Sequence, residues 1–329
     1  MTEDKGTMQS SNFKDRKAGL IVFGILEIIF GGFCALIVPL MILSMIASKS
    51  SGMPMRPNMI IPGVLFYVLL AVWFIWMGVG SITARRWARA LLLVSSWLWL
   101  ICGISAFIAM LIFIPNMYDQ MGQKGQMSQG TVAMMKFVVF GFMTVSYVII
   151  PGVLILFYGS KNVKATCEFI DSRVRWTDKC PLPVLALSLM FGLWAGSMLL
   201  AGFYGWVIPF FGNILSGMTG AGVTLVGILL VAYVAWGTYK LSIKAWWCAV
   251  LMTIAWTVSI GITFSRVSLL ELYEKMNFPE QQLHFMKQFS IPLNSTMVLY
   301  SVLWGVGLLG YLLYVRRYFP RFSKQEKTS

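Results

Sequence analysis

Glu27 is the residue in this 329-residue chain whose surroundings most demand a chemical explanation. It is the only carboxylate inside any long apolar stretch, and it lies about 15 Å along a helix beyond Lys17, near the middle of a membrane. A lone ionisable group there costs at least ~2.5–3.5 kcal/mol on insertion scales, so it is expected to face the interior of a helix bundle. Two readings follow. Glu27 is either a proton or cation site, or a protonated carboxyl that hydrogen-bonds a neighbouring helix.

A second set of residues is sulfur-bearing. Cys34 and Cys102 fall near the centres of two spans that run in the same direction, and Met53, Met55, Met59, Met117, Met121, Met127, Met134 and Met135 gather on the opposite side from the chain ends. Thiolates and thioethers suit Cu(I), so Met53 and Met55 leading toward Cys34 and Cys102 would make a copper path. The same residues also serve as ordinary apolar filler. The five cysteines make no disulfide framework, because Cys167 and Cys180 are expected in the cytoplasm, where thiols stay reduced. A structural zinc site wants four N or S ligands, and the single histidine, His284, is expected across the membrane from those two. No Ser/His/Asp set, paired buried carboxylates, HExxH motif or glycine-rich phosphate loop occurs. The chain is therefore expected not to be an enzyme and to carry no cofactor.

The elements that must position these residues follow from composition. Hydrophobic residues make up 58% of the chain and charged ones 12%, with a mean hydropathy of +0.76. Soluble proteins are roughly a quarter charged, so this composition excludes a soluble enzyme, a secreted disulfide scaffold and a disordered chain. An all-α, multi-pass membrane protein remains. A crossing takes about 20 apolar residues, and eight stretches qualify: Gly19 to Ala47, Met59 to Ile82, Ala90 to Ile114, Phe137 to Tyr158, Pro183 to Pro209, Gly220 to Tyr239, Ala245 to Phe264 and Leu293 to Tyr314. Between the fifth and sixth, Pro209, Gly212, Asn213, Gly217 and Gly220 supply turn chemistry. Pro39 is expected to kink or end the first span. That span is too long for a signal peptide, so the N-terminus is expected to be retained.

With eight spans, 19 of the 26 basic residues fall on the side of the two termini and 7 on the other. The positive-inside rule then puts both termini in the cytoplasm of a cell membrane. The net charge of +14 reads as topology rather than nucleic-acid binding. Arg85, Arg86 and Arg89 around Trp87, and Arg316 and Arg317 after the last span, are candidate contacts for anionic lipid headgroups, worth about 1 kcal/mol per basic residue.

The pattern also predicts two parallel four-helix repeats, residues 18–158 and 183–315, flanked by tails 1–17 and 316–329 and joined by a cytoplasmic linker, 159–182. Gly78, Trp87, Ala90, Leu92, Trp97 and Ile101 recur at a constant offset as Gly237, Trp246, Ala249, Leu251, Trp256 and Ile260. Tyr147, Gly152 and Tyr158 recur as Tyr300, Gly305 and Tyr311, while Phe30-Gly31 against Phe191-Gly192 is a looser match that sets Ser188 opposite Glu27. Such a unit repeats about an axis along the membrane normal, making the centre between the halves a candidate site. The linker stretch Lys161 to Ile170 is expected to continue the fourth helix with Val163, Cys167 and Ile170 on one face, and Trp176 suits an interface. Gly192 and Gly196, with Ser197 and Ala201, and Gly31, Gly32, Gly78, Gly80, Gly305 and Gly310 are read as packing residues. Leu269 to Tyr273, and a short helix opened by Phe278, Pro279 and Glu280, are expected on the membrane surface.

The function expected from these features is a non-catalytic scaffold or accessory subunit that binds a membrane partner, a second copy or lipid. The alternative is a small-solute, ion or lipid transporter using Glu27. Against it stands the scarcity of ionisable groups within the spans.

Overall fold

A computed structural model describes residues 14–50, 57–123, 128–287 and 293–319. Eight helical stretches among the described residues are long and apolar enough to cross a membrane, as expected of a multi-pass, all-α membrane protein. They are α1 (Lys17–Ser50), α2 (Pro57–Ile82), α3 (Arg86–Gln123), α4 (Gln129–Thr144) continuing into α5 (Ile150–Gly159), α7 (Leu182–Met198), α8 (Gly217–Tyr239), α9 (Ile243–Arg266) and α12 (Leu293–Val315). Among the described residues, three shorter α-helices lie outside the spans: α6 (Lys161–Ile170), α10 (Leu269–Lys275) and α11 (Glu280–Lys287).

Two expectations about helix ends are corrected. Pro39 does not end the first span, because α1 continues past it to Ser50. The linker does not continue the fourth span, because the backbone turns extended at Ser160 (ψ 143°) and the Ser160 hydroxyl accepts from the Val163 amide to cap α6 as a new helix. Helix α6 buries Val163, Thr166 and Cys167 against the bundle, while Ile170 is exposed. Between α4 and α5 the helix widens into a π-turn over Val145–Ile149. Pro151, two residues beyond it, has no N–H to give the carbonyl four residues back, a deficit that a widened turn absorbs.

The residues between α7 and α8 form more than a turn. A 3₁₀ segment (Leu199–Tyr204) leads into a two-stranded antiparallel hairpin, β1 (Ile208–Phe210) and β2 (Asn213–Leu215), with Phe210 opposite Asn213. Phe211 (φ 40°) and Gly212 (φ 90°) are its two-residue loop, a type I′ pattern that matches strand twist. The loop amides are satisfied from α9: Phe211 N–H donates to Ser259 Oγ (2.9 Å) and Gly212 N–H to Thr263 Oγ1 (2.9 Å). Val207, Ile214, Ile260, Phe264, Leu269 and Leu272 close a small core there.

Helices α1 and α2 pack most intimately. A Cβ added at Gly78 would lie 2.6 Å from the Gly24 carbonyl oxygen, and one at Gly24 would lie 2.7 Å from that of Gly78. Gly31 meets Ile75 in the same way, and Gly305 meets Thr257. Among the described residues, a Cβ added at Gly32, Gly192, Gly196 or Gly310 would meet nothing within 4 Å, so no helix packs closely on the Gly192/Gly196 face there.

The α2–α3 and α8–α9 turns are built alike. Ala84 (φ 51°) and Leu241 (φ 57°) occupy equivalent left-handed positions, and Arg85 N–H to Gly80 O (2.9 Å) matches Ser242 N–H to Gly237 O (2.8 Å). A side chain on Gly80 would strike Ala88, and one on Gly237 would strike Ala245. This geometry pairs Gly80 with Gly237, two residues away from the register that sets Gly78 against Gly237. Arg89 then faces Trp246, and each donates a side-chain N–H to a carbonyl near the end of a later span: Arg89 Nε to Tyr158 O (3.1 Å) and Trp246 Nε1 to Leu312 O (2.8 Å).

Candidate functional site

Glu27 is buried (6% exposed) inside the bundle, as its sequence position predicts. Its partners lie at the ends of other spans. Oε1 is hydrogen-bonded to the Tyr158 hydroxyl at 3.0 Å, Tyr158 to Ser81 Oγ at 2.8 Å, and Ser81 donates to the Leu20 carbonyl at 2.9 Å. Leu20, Ser81 and Tyr158 are all fully buried. Ser81 stands one residue before the end of α2 and Tyr158 one before the end of α5, so the group sits toward the end of the bundle where α1 begins. Helical side chains lean toward their own N-terminus, which brings the Glu27 carboxyl nearer that end than its Cα. Oε2 has no hydrogen-bond partner among the described residues. Ser188, set opposite Glu27 by the looser sequence match, instead donates to Ala235 O at 2.7 Å.

The linker is clamped across this same end. Arg175 presents Nε and Nη2 to the two oxygens of Asp171, each at 3.0 Å, and Arg85 Nη1 stands 4.0 Å from that carboxylate. Asp171 is 3% exposed, and the Arg175 hydrogen bonds, aided by the Arg175 charge, a backbone hydrogen bond from Arg86 and the charge of Arg85, hold it below the usual carboxylate range. An acid at the first turn of α3 also complements the helix dipole. Arg86 Nη1 lies 3.8 Å from Asp178, and the Arg16 amide donates to Thr166 Oγ1 (3.1 Å). Burial pushes the Cys167 and Cys180 thiols up to about 11. Both therefore stay protonated and unreactive at neutral pH.

The basic residues read as headgroup contacts thus have protein partners. Arg85 and Arg86 face linker carboxylates, with Arg85 still about half exposed, and Arg89 holds the Tyr158 carbonyl. Arg316 stacks over Trp246 (5.3 Å) and Arg317 over Tyr314 (4.1 Å). Of the copper candidates, Cys34 is buried on α1 and Cys102 is exposed on α3, while Met53 and Met55 lie outside the described residues. No group of three or more His, Cys, Asp and Glu side chains among the described residues is placed to hold a metal ion.

Two concavities lie among the second-half helices rather than between the halves. One, of about 610 Å³, runs along α9: Lys244, Trp247, Cys248, Leu251, Met252 and Ala255 line it at helical spacing, with Leu230 of α8 as its other wall. Lys244 is its single charged residue, at the α8–α9 turn, where Lys240 lies 5.1 Å over the Trp236 ring. The other, of about 460 Å³, is walled by Trp194, Trp256, Tyr300 and Trp304, with Thr253, Thr257 and Ser301 among its lining. The Trp194 and Trp256 rings meet edge to face at 5.8 Å.

Sequence reasoning found Glu27 but not Ser81 or Tyr158 as its partners, nor the Lys244 groove. The signal for the first two is a hydroxyl one turn or less from the end of an otherwise apolar span. For the groove it is the recurrence of apolar residues behind Lys244 at positions three, four, seven, eight and eleven. Comparison of the chain with protein-family models, curated proteins and solved structures finds no match.

Proposed function

We propose that this chain is a non-catalytic membrane protein that binds an anionic phospholipid on the face of α9, acting as a scaffold or accessory subunit in the bilayer. The observation that carries this reading is the single charged residue of the α9 groove, Lys244, at the end that opens on the helix turn, with only apolar and sulfur-bearing side chains beyond it. An acyl chain can lie along Trp247, Leu251 and Ala255 while a phosphate meets Lys244. The volume is within the roughly 300–1,000 Å³ typical of ligand sites. Between an apolar helix face and a lipid tail there is little hydrophobic driving force. Selectivity must therefore come from the headgroup, at about 1 kcal/mol per basic residue.

In this reading both termini, the linker and the α8–α9 turn face the cytoplasm, where anionic lipid is met by the basic residues counted on that side. The two halves are equivalent four-helix units, and their matched turns support that relation. A second reading, a small-solute, ion or lipid transporter using Glu27, is favoured by the burial of that carboxyl and by the aromatic pocket. Native mass spectrometry of the detergent-purified chain separates them, using added phosphatidylglycerol and phosphatidylcholine. Preferential retention of phosphatidylglycerol, reduced about fivefold in Lys244→Gln, supports the lipid site. Equal retention of both lipids, unchanged by the substitution, overturns it, and proton-dependent solute flux in proteoliposomes would establish the transporter.

A further inference from the structure

Three oxygen-to-oxygen contacts join Leu20, Ser81, Tyr158 and Glu27 in series, and each needs one hydrogen between its atoms. The Leu20 carbonyl brings none, and an ionised Glu27 brings none. Ser81 and Tyr158 bring one each. With Glu27 ionised, Tyr158 donates to it, and Ser81 has one hydrogen for two neighbours. Either the 2.8 Å contact with Tyr158 or the 2.9 Å contact with Leu20 is then a pair of oxygens with nothing between them. A proton on Glu27 Oε1 makes up the deficit. Glu27 then donates to Tyr158, Tyr158 to Ser81, and Ser81 to the Leu20 carbonyl, leaving no contact unsatisfied.

We propose that Glu27 is a proton-binding site, occupied in this structure, whose proton completes a hydrogen-bond chain tying α1 to α2 and α5. The surroundings favour a proton over a metal cation. The four oxygens are joined in series by contacts of 2.8–3.0 Å rather than converging on one point, and no group of three or more His, Cys, Asp and Glu side chains among the described residues is placed to hold a metal ion. No Lys, Arg or His is paired with Glu27 among the described residues. The titratable and charged groups near it are Tyr158 on α5, Cys167 on α6, whose charge would act on Tyr158, and Arg89 on α3, which reaches the Tyr158 carbonyl rather than its hydroxyl. Helix α2 contributes the neutral Ser81 and Met77 to this core. Loss of the proton strands a charge in the bundle and leaves one of the two Ser81 contacts, to Tyr158 on α5 or to Leu20 on α1, without a hydrogen. Tyr158 is also the residue whose backbone carbonyl Arg89 holds. This proposal stands independently of the lipid site.

Infrared spectroscopy of the full chain in lipid, with the glutamate carboxyl carbons 13C-labelled, tests it. The expected result at pH 7 is the isotope-shifted carbonyl stretch of one neutral glutamic acid per chain, absent in Glu27→Gln. The band moves to higher frequency in Tyr158→Phe, where the carboxyl loses its acceptor. A wild-type spectrum at pH 7 with no neutral glutamic acid band, or a band unchanged by Glu27→Gln, overturns the proposal. The labelled wild type and Tyr158→Phe carry the test even if Glu27→Gln does not fold.

Discussion

At the scale of single residues, some ionisable groups among the described residues are satisfied by charged partners, whereas Glu27 is proposed to be satisfied by a proton. Asp171 is the clearest of the first kind. Its folded value lies below its unfolded one because Arg175 donates to both of its oxygens. Its contribution is thus fully present above an unfolded value of about 3.9 and is lost as pH falls through the lower folded value. Asp171→Asn should lower unfolding free energy at pH 7 by about 1.5–3 kcal/mol, as for lost hydrogen bonds between charged groups. The gap from wild type should close below about pH 4, and thermal unfolding followed across pH measures both. Cys167 and Cys180, held as thiols by burial, should react with iodoacetamide at pH 7.5 far more slowly than a free cysteine does; alkylation of either at the free rate would show that the linker lifts off the bundle.

At the scale of elements, close backbone approach between α1 and α2 holds the Glu27 chain in register. Gly78→Ala places a methyl 2.6 Å from the Gly24 carbonyl, a backbone atom that cannot swing aside. The cost should be about 1–3 kcal/mol as overpacking, read as a drop in the thermal midpoint, whereas Gly192→Ala, where a Cβ meets nothing, should be nearly silent. How far the sequence foretold these elements depended on the length of each signal. The eight spans were legible because some twenty uncharged residues in a row admit few alternatives. The hairpin was not, since strands of three residues are too short to show a period of two, and its loop amides are satisfied by Ser259 and Thr263 about fifty residues away. Ser160 did carry a readable signal, a Gly-Ser pair followed by a polar helical run, yet the apolar residues on both sides invited one continuous helix. Tyr158 and Glu27 are 131 residues apart, and no local pattern links them.

At the scale of the whole molecule, the excess of basic residues on one side is partly consumed within the protein. Arg85, Arg86 and Arg175 fasten the linker to the bundle end, and Arg316 and Arg317 stack on aromatic rings, while Lys244 stands at the end of an apolar groove. Sequence counting treats all of these charges alike; only the fold separates those that hold the chain together from Lys244, for which we propose a headgroup. The proposed anionic-phospholipid site on the α9 face can be probed with a photoactivatable phosphatidylglycerol, its reactive group on the acyl chain, added to the intact protein in lipid nanodiscs. Crosslinks should concentrate on the α9 peptide from Trp247 to Ala255, compete away with unlabelled phosphatidylglycerol but not with phosphatidylcholine, and fall about fivefold in Lys244→Gln. Crosslinks spread evenly over the lipid-facing helices, or equally displaced by both lipids, would contradict it.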